Sequence, residues 1–213
     1  MKPTGFVFAL LLPLAFTAPC GAQDADEQRN ERLTLVEFRR IAARCAPGIP
    51  LVTLRAIARA ESAFHPYALS LNYPRRTARE QGLSAGDITL ARQPRTRAEA
   101  LAWTYYLLKR GRSVSVGLMQ INTEHVADLG VSVDQLFDPC TNVRTGGRLL
   151  AAKYEAAAAI AGEGQEALQR ALSQYNSGNP LIGFYSGYVR GVVDGEFCPS
   201  AEKAQGGPTC RHQ

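Results

Sequence analysis

After residue 22 the chain has no apolar run long enough to cross a bilayer as a helix, so no membrane span is expected there. Histidine is scarce. His65, His125 and His212 are scattered, and none stands at zinc-site spacing from a cysteine. Each reads as a surface or capping residue, and neither a metal nor a cofactor is expected. Internal repeats are absent. Between Gln169 and Val193 there is no Asp or Glu. The formal charge is +5, with basic residues bunched at Arg75-Arg76, Arg79, Arg92, Arg95, Arg97 and Lys109 to Arg112. These bunches carry no interleaved aromatics and fit no nucleic-acid motif, so nucleic acid is not an expected partner. A modest basic excess suits an anionic polymer or simple solubility.

What is present begins with an export signal. Lys2 and the amino terminus supply positive charge, Gly5 to Phe16 is a short apolar run, and Cys20-Gly21-Ala22 offers small residues for cleavage after Ala22. Residues 1–22 are therefore expected to be a signal peptide. Without Cys20, four cysteines remain: Cys45, Cys140, Cys198 and Cys210. An even number in an oxidising compartment suggests two disulfides, with three connectivities open. The favoured pairing is Cys45–Cys140, tying an N-terminal helix to the start of a later one, and Cys198–Cys210, stapling the tail. Residues 33–194 are expected to form one domain and 195–213 a tail too rich in Gly and Pro to build a core.

Local signals place the helices. Thr34 to Glu37 is a capping box opening a helix that ends near Cys45, and Thr96 to Glu99 is another, opening a helix to Gly111 with Leu101, Tyr105 and Leu108 inward. Pro50 can occupy the first turn of a helix ending at Glu61, which His65-Pro66 stops. Asn122 or Thr123 caps a short helix that stops at Gly130. Asp138-Pro139 reads as N-cap and first turn of a long Ala-rich helix to about Ala161, with Gly162 as its stop. Helices over 165–174 and 181–193 follow. Residues 67–95 look irregular, with a short β-hairpin pairing Ala68–Tyr73 with Asp87–Ala91. The expected fold class is mainly α, a compact helical domain with a small β excursion.

One helix carries an anomaly. Leu51, Leu54, Ile57 and Ala58 recur at helical spacing and mark an inner face, while Thr53, Arg55 and Arg59 lie outside. Glu61 falls four residues after Ile57, on the inner face. Burial there disfavours a carboxylate, and so does the nearby helix C-terminus. Both push Glu61 toward a protonated acid able to donate near neutral pH. A half-buried Glu paired with Arg59 is the ordinary alternative.

Three stretches resemble the hallmark motifs of the soluble-lytic-transglycosylase-like family, whose fold is related to goose-type lysozyme. They are Ala60-Glu61-Ser62-Ala63-Phe64-His65-Pro66, Gly117 to Asn122, and Tyr175-Asn176-Ser177-Gly178. Their order also matches, and the resemblance covers roughly Leu33 to Gly191. Cys45-Ala46-Pro47, the insert before Gly117, Asn122, and Leu136 to Arg144 resemble the branch attached to type IV secretion and conjugation systems.

The resemblance implies an α+β lysozyme-like fold, a periplasmic location, peptidoglycan as substrate and secretion or conjugation components as partners. It implies cleavage of the β-1,4 bond between N-acetylmuramic acid and N-acetylglucosamine. Glu61 would protonate the glycosidic oxygen and then take the proton of the muramoyl C6 hydroxyl, leaving a 1,6-anhydro sugar. A single carboxylate suffices for that chemistry, whereas ordinary glycosidases use two. Tyr175 is similar to the tyrosine whose hydroxyl holds the catalytic carboxyl. Gln120 and Ser70 are similar to substrate-binding residues. Asn122 reads as substrate-facing or an N-cap, Met119 as groove lining or packing, and Ser62 as a cap of the helix end. Asn176 and Gly178 shape a turn, with Asn176 near substrate, and Gly117 lets backbone approach the sugar. The alternatives are a hydrolytic lysozyme on the same fold and a wall-binding assembly module without catalysis.

Overall fold

The structure, a computed structural model, describes residues 32–72, 90 and 92–195. The expected signal peptide, the Cys198–Cys210 pairing and all but Leu90 of the expected strand at 87–91 lie outside the described residues.

Two helices begin the domain. α1 spans Leu35–Cys45 and α2 spans Leu51–Ser62. The Thr34 hydroxyl accepts from Glu37 N at 3.2 Å, and the Glu37 carboxylate accepts from Thr34 N at 2.8 Å, which satisfies two orphan donors of the first turn. Pro50 stands at the N-cap of α2. Leu54, Ile57 and Ala58 are buried, whereas Leu51, in the first turn, is 37% exposed. α2 ends where Ala63 and Phe64 turn left-handed, at φ 49° and 64°. This reverses the chain so that Leu33 N donates to Phe64 O at 2.9 Å.

α3 spans Arg97–Lys109, α4 Val126–Leu129, α5 Pro139–Ala161, α6 Gln165–Ser177, α7 Ile182–Tyr185 and α8 Tyr188–Asp194. Short 3-10 turns at Thr123–His125 and Gln135–Phe137 precede α4 and α5. Asp138 caps α5, accepting from Thr141 N at 2.8 Å, with Pro139 in the first turn. A disulfide joins Cys45 at the end of α1 to Cys140 at the start of α5, as the favoured pairing anticipated.

Three expectations need correction. On α3, Leu101 and Leu108 are half-buried and pack against the core as expected, beside the buried Ala100, Thr104 and Leu107, but Tyr105 does not. Tyr105 lies outside, where its hydroxyl donates to Asp134. α3 has apolar residues all round, so spacing alone does not select the buried face. The last expected helix is two: Gly187, at φ 81°, breaks it between α7 and α8. Finally α6 runs on through Ser177, so Tyr175 stands on its last turn.

The expected pairing with 87–91 falls outside the described residues, apart from Leu90; among those described, one sheet forms. β1 (Leu69–Asn72), β2 (Ser113–Val116) and β3 (Ile121–Asn122) form one antiparallel sheet in the order β1-β2-β3. Ser70 faces Ser115, and Ser115 faces Asn122. The partner of β1 therefore lies more than forty residues downstream. The side-chain amide of Gln93 also pairs with the Leu69 backbone, accepting from its N at 2.7 Å and donating to its O at 3.0 Å. Leu69, Val114, Val116 and Ile121 turn into the core with Phe38, Leu54, Ile57, Leu136, Phe137 and Val143. The fold is thus mainly helical with one small sheet, and the alternating residues of that sheet face a groove.

Candidate active site

A groove of about 860 Å³ runs between the sheet and the C-terminal end of α6. It brings together Glu61, Ser70, Gln120, Asn122, Tyr175 and Asn176, the six residues singled out from the sequence. Asn72, Ser113 and Ser115 join them from the same sheet face.

Glu61 comes from the last turn of α2 and is partly exposed to the groove. Burial raises its pKa from 4.5 to about 7, and the hydrogen bond it accepts from Tyr188 works the other way. It is therefore poised to be protonated near neutral pH. The hydroxyl on Glu61 is that of Tyr188, which donates to Oε1 at 2.6 Å. Tyr175, expected in that place, donates to the Met119 carbonyl at 2.7 Å. The difference follows from the helices: α6 aims Tyr175 at the loop before β3, and the break at Gly187 presents Tyr188 to α2. Burial above all, and then the negative charge of Glu61, hold both phenols well above their ordinary range, so both stay donors.

The loop Gly117–Gln120 shapes the floor. Gln120 sits in a left-handed conformation at φ 47°. Its amide nitrogen donates to Ala68 O at 3.1 Å and Gly117 O at 2.9 Å, and its carbonyl accepts from the Ser70 hydroxyl at 2.7 Å. With its proton given to Gln120, Ser70 presents oxygen lone pairs to the groove. Across the sheet, the Asn72 amide donates to Ser115 Oγ at 2.8 Å, and the Ser113 hydroxyl donates to Asn122 Oδ1 at 3.0 Å. Asn122 Oδ1 also accepts from Glu124 N at 2.9 Å, so Asn122 is both N-cap and groove lining. The sheet face is thus a continuous patch of neutral hydroxyls and amides, suited to the hydroxyl and acetamido groups of a saccharide.

Asn142, on α5, holds the loop from beneath. Its amide nitrogen donates to Val116 O at 3.0 Å and Leu136 O at 2.8 Å, and its carbonyl accepts from Met119 N at 2.7 Å. A Cβ on Gly117 would come within 2.2 Å of that amide nitrogen. Gly117, at φ 78°, is therefore required by Asn142 and by its own backbone. Met119 is fully buried against Gly146, so it packs and does not line the groove. The Ser62 hydroxyl lies 3.0 Å from Ala58 O and 2.9 Å from Leu118 O, bonding the end of α2 to the loop beyond a simple cap. Gly178, at φ 71°, ends α6. Asn176 lines the groove one residue after Tyr175.

Sequence reasoning missed Tyr188 and Asn142 as site residues. Asn142 was visible as a polar residue four positions after the N-cap of a long helix, and Tyr188 as a Tyr just after a Gly. His65 proves buried and not superficial. Its Nδ1 accepts from Tyr67 N at 3.1 Å, and burial with the nearby Arg32 charge lowers its pKa to about 4. His125 is exposed on the groove wall, and His212 lies outside the described residues. Among the described residues no cluster of His, Cys, Asp or Glu is arranged to hold a metal ion. The groove wall does hold two further carboxylates, Glu124 and Asp128.

Comparison with known proteins agrees with this geometry. The family described as "Transglycosylase SLT domain" matches residues 39–192. Protein virB1 of Rhizobium radiobacter is 36% identical over 160 residues, covering 75% of this chain and 61% of that protein. The type IV secretion system protein virB1 of Brucella abortus is 33% identical over 165 residues, covering 75% and 63%. The matched region thus spans somewhat less than two thirds of these relatives. No solved structure matches. Because the family match takes in every residue that builds the groove, from α1 to α8, the chain belongs to the transglycosylase SLT domain family.

Proposed function

We propose that this chain is an exported peptidoglycan lytic transglycosylase that works in the periplasm and opens the cell wall locally for a type IV secretion or conjugation apparatus. The observation that carries the chemistry is Glu61. Its carboxyl is raised to about 7, held by one tyrosine hydroxyl, and flanked by neutral hydroxyls and amides. As the acid, Glu61 protonates the glycosidic oxygen between N-acetylmuramic acid and N-acetylglucosamine, and the C1–O bond breaks. As the carboxylate, it then takes the proton of the muramoyl C6 hydroxyl while that oxygen bonds to C1. The proton given in the first step is recovered in the second, and no water enters. The acetamido oxygen of the substrate stabilises the cationic centre between them. Tyr188 keeps the carboxyl in place and favours its charged form in the second half. The link to a secretion apparatus rests on the names of the virB1 relatives.

A hydrolytic lysozyme is the second reading, favoured by Glu124 and Asp128 on the groove wall. Either could activate water on the opposite face of the sugar, as in inverting glycosidases. Mass analysis of muropeptides released from purified sacculi separates the two readings, because the anhydro product is one water lighter. Anhydro products from the wild type and none from Glu61→Gln are expected. Hydrolysed products alone would establish the second reading. Unchanged turnover by Glu61→Gln would leave a wall-binding assembly module as the reading to pursue.

A further inference from the structure

Residues 92–112 hold six Lys and Arg, namely Arg92, Arg95, Arg97, Lys109, Arg110 and Arg112, against one acid, Glu99. The whole chain holds 24 and 19, which leaves 18 of each elsewhere, so the entire +5 excess falls on α3 and its flanks. The same helix carries the only Trp of the chain. Trp103, Tyr105 and Tyr106 are 41%, 49% and 47% exposed, and no other large apolar side chain of α3 is. Glu99, Trp103, Tyr106 and Arg110 stand four, three and four residues apart, which places them on one outward stripe. Contacts order that stripe. The Trp103 and Tyr106 rings meet edge to face at 5.6 Å, and the Arg110 guanidinium lies 3.8 Å over the Tyr106 ring. Glu99 is bridged to Arg92 at 2.8 Å. Tyr105 stands to one side, where Asp134 accepts its hydroxyl. Lys109 and Arg110 are exposed at the C-terminal end. None of these residues lines the groove.

Rings with an apolar body and a polar tip settle at the headgroup level of a bilayer, and Lys and Arg gather where its lipids are anionic. Both features meet here on one helix. The cations flank the rings at both ends of a helix about 20 Å long, which makes a broad plane and not a pocket. No exposed Leu, Ile or Phe of α3 reaches past the headgroups, and among the described residues no helix is long and apolar enough to cross a membrane. We propose that the outward face of α3 is a peripheral docking surface for a membrane rich in anionic phospholipid. Trp103 and Tyr106 lie among the headgroups, and Lys109 and Arg110 face lipid phosphates. The contact holds the chain at the membrane surface reversibly, and it does not depend on the chemistry of the groove.

Trp103, as the only Trp, reports on this face directly. The test titrates the exported chain, residues 23–213, with vesicles of phosphatidylethanolamine and phosphatidylglycerol, and in parallel with vesicles of phosphatidylcholine. With the anionic vesicles the Trp emission is expected to move to shorter wavelength and acrylamide quenching to fall, and salt at about 0.5 M should reverse both. Lys109→Gln/Arg110→Gln should weaken binding about thirtyfold, at about fivefold for each cation removed from an anionic surface. Arg148→Gln/Arg190→Gln makes the same change of charge on α5 and α8 and should bind nearly as the wild type does. No emission shift with anionic vesicles, or an equal shift with phosphatidylcholine, overturns the proposal. Equal weakening by the two double variants also overturns it, because net charge alone would then drive binding. An emission shift that grows with protein concentration without lipid gives the face to a second copy instead. A crosslinker at Tyr106 that joins one exported protein in intact cells, with no response to vesicles, gives it to a protein partner.

Discussion

Replacing Glu61 by Gln should stabilise the folded protein, and by an amount that depends on pH. The carboxyl has a pKa of about 7 in the fold and an ordinary value of 4.5. Between those values the folded chain holds a proton that the unfolded chain has released. Stability therefore falls as pH rises from 4.5 to about 7, and the loss is complete above 7. At 1.36 kcal/mol per pH unit the gap corresponds to roughly 3 kcal/mol. The exposure of Glu61 to groove water reduces this to roughly 2 kcal/mol. Gln keeps the shape and still accepts from Tyr188, but it carries no charge to bury. Thermal unfolding of both proteins across pH at constant ionic strength measures the difference. Near pH 4 the two midpoints should coincide. Near pH 8 the variant should melt higher by about 4–8 °C. A constant offset at every pH, or a wild type that melts higher at pH 8, would refute the assignment of a buried, reluctantly charged carboxyl.

The same carboxyl should govern activity. The protonated form begins the reaction, so turnover should decline as pH rises through about 7. Tyr188→Phe removes a hydrogen bond to the charged form, worth about 1.5–3 kcal/mol, and should move that alkaline limb up by roughly one to two pH units while lowering the maximum rate. An unmoved limb in the pH–rate profile would show that Tyr188 acts elsewhere. Asn142→Ala strands three buried backbone groups and should cost roughly 3–5 kcal/mol in denaturant unfolding, with activity lost alongside it. Replacing Cys45 and Cys140 by Ser opens a loop of 95 residues and should cost about 4 kcal/mol by the same assay, whereas an unchanged midpoint would mean that the bridge does not restrain the unfolded chain.

Helix starts were legible because capping is local. Thr34 with Glu37, Thr96 with Glu99, and Asp138 with Pro139 announce themselves within four residues, and each N-cap is present, although the Glu99 carboxylate accepts from Arg95 N and so leaves the second capping box half made. The inward placement of Glu61 was legible too, since helical spacing carries it four residues past Ile57. What escaped depends on contacts far apart in the chain. Tyr188 reaches Glu61 across 127 positions, and Asn142 reaches Met119 across 23. Tyr175 and Tyr188 are equivalent as residue types, and only the course of α6 and the break at Gly187 decide which hydroxyl meets the acid. Strand β1 was visible, but its pairing with β2 was not, because alternation marks a strand without saying what it pairs with. On α3 only Tyr105 was misplaced, because apolar residues surround the helix and Asp134 accepts its hydroxyl outside.

Asn142 and Gly117 also constrain how this chain can change. The amide nitrogen of one occupies the space a methyl group would take on the other. Neither position can be substituted on its own merits. Ala at 117 clashes while Asn142 is present, and shortening Asn142 makes room but releases three backbone groups. Their effects should be strongly non-additive, with the double variant less damaged than the two single ones together would suggest. A lineage carrying this loop would thus find the two sites locked as a pair. Drift at either is closed off unless the helix and the loop beside it are rebuilt in the same step.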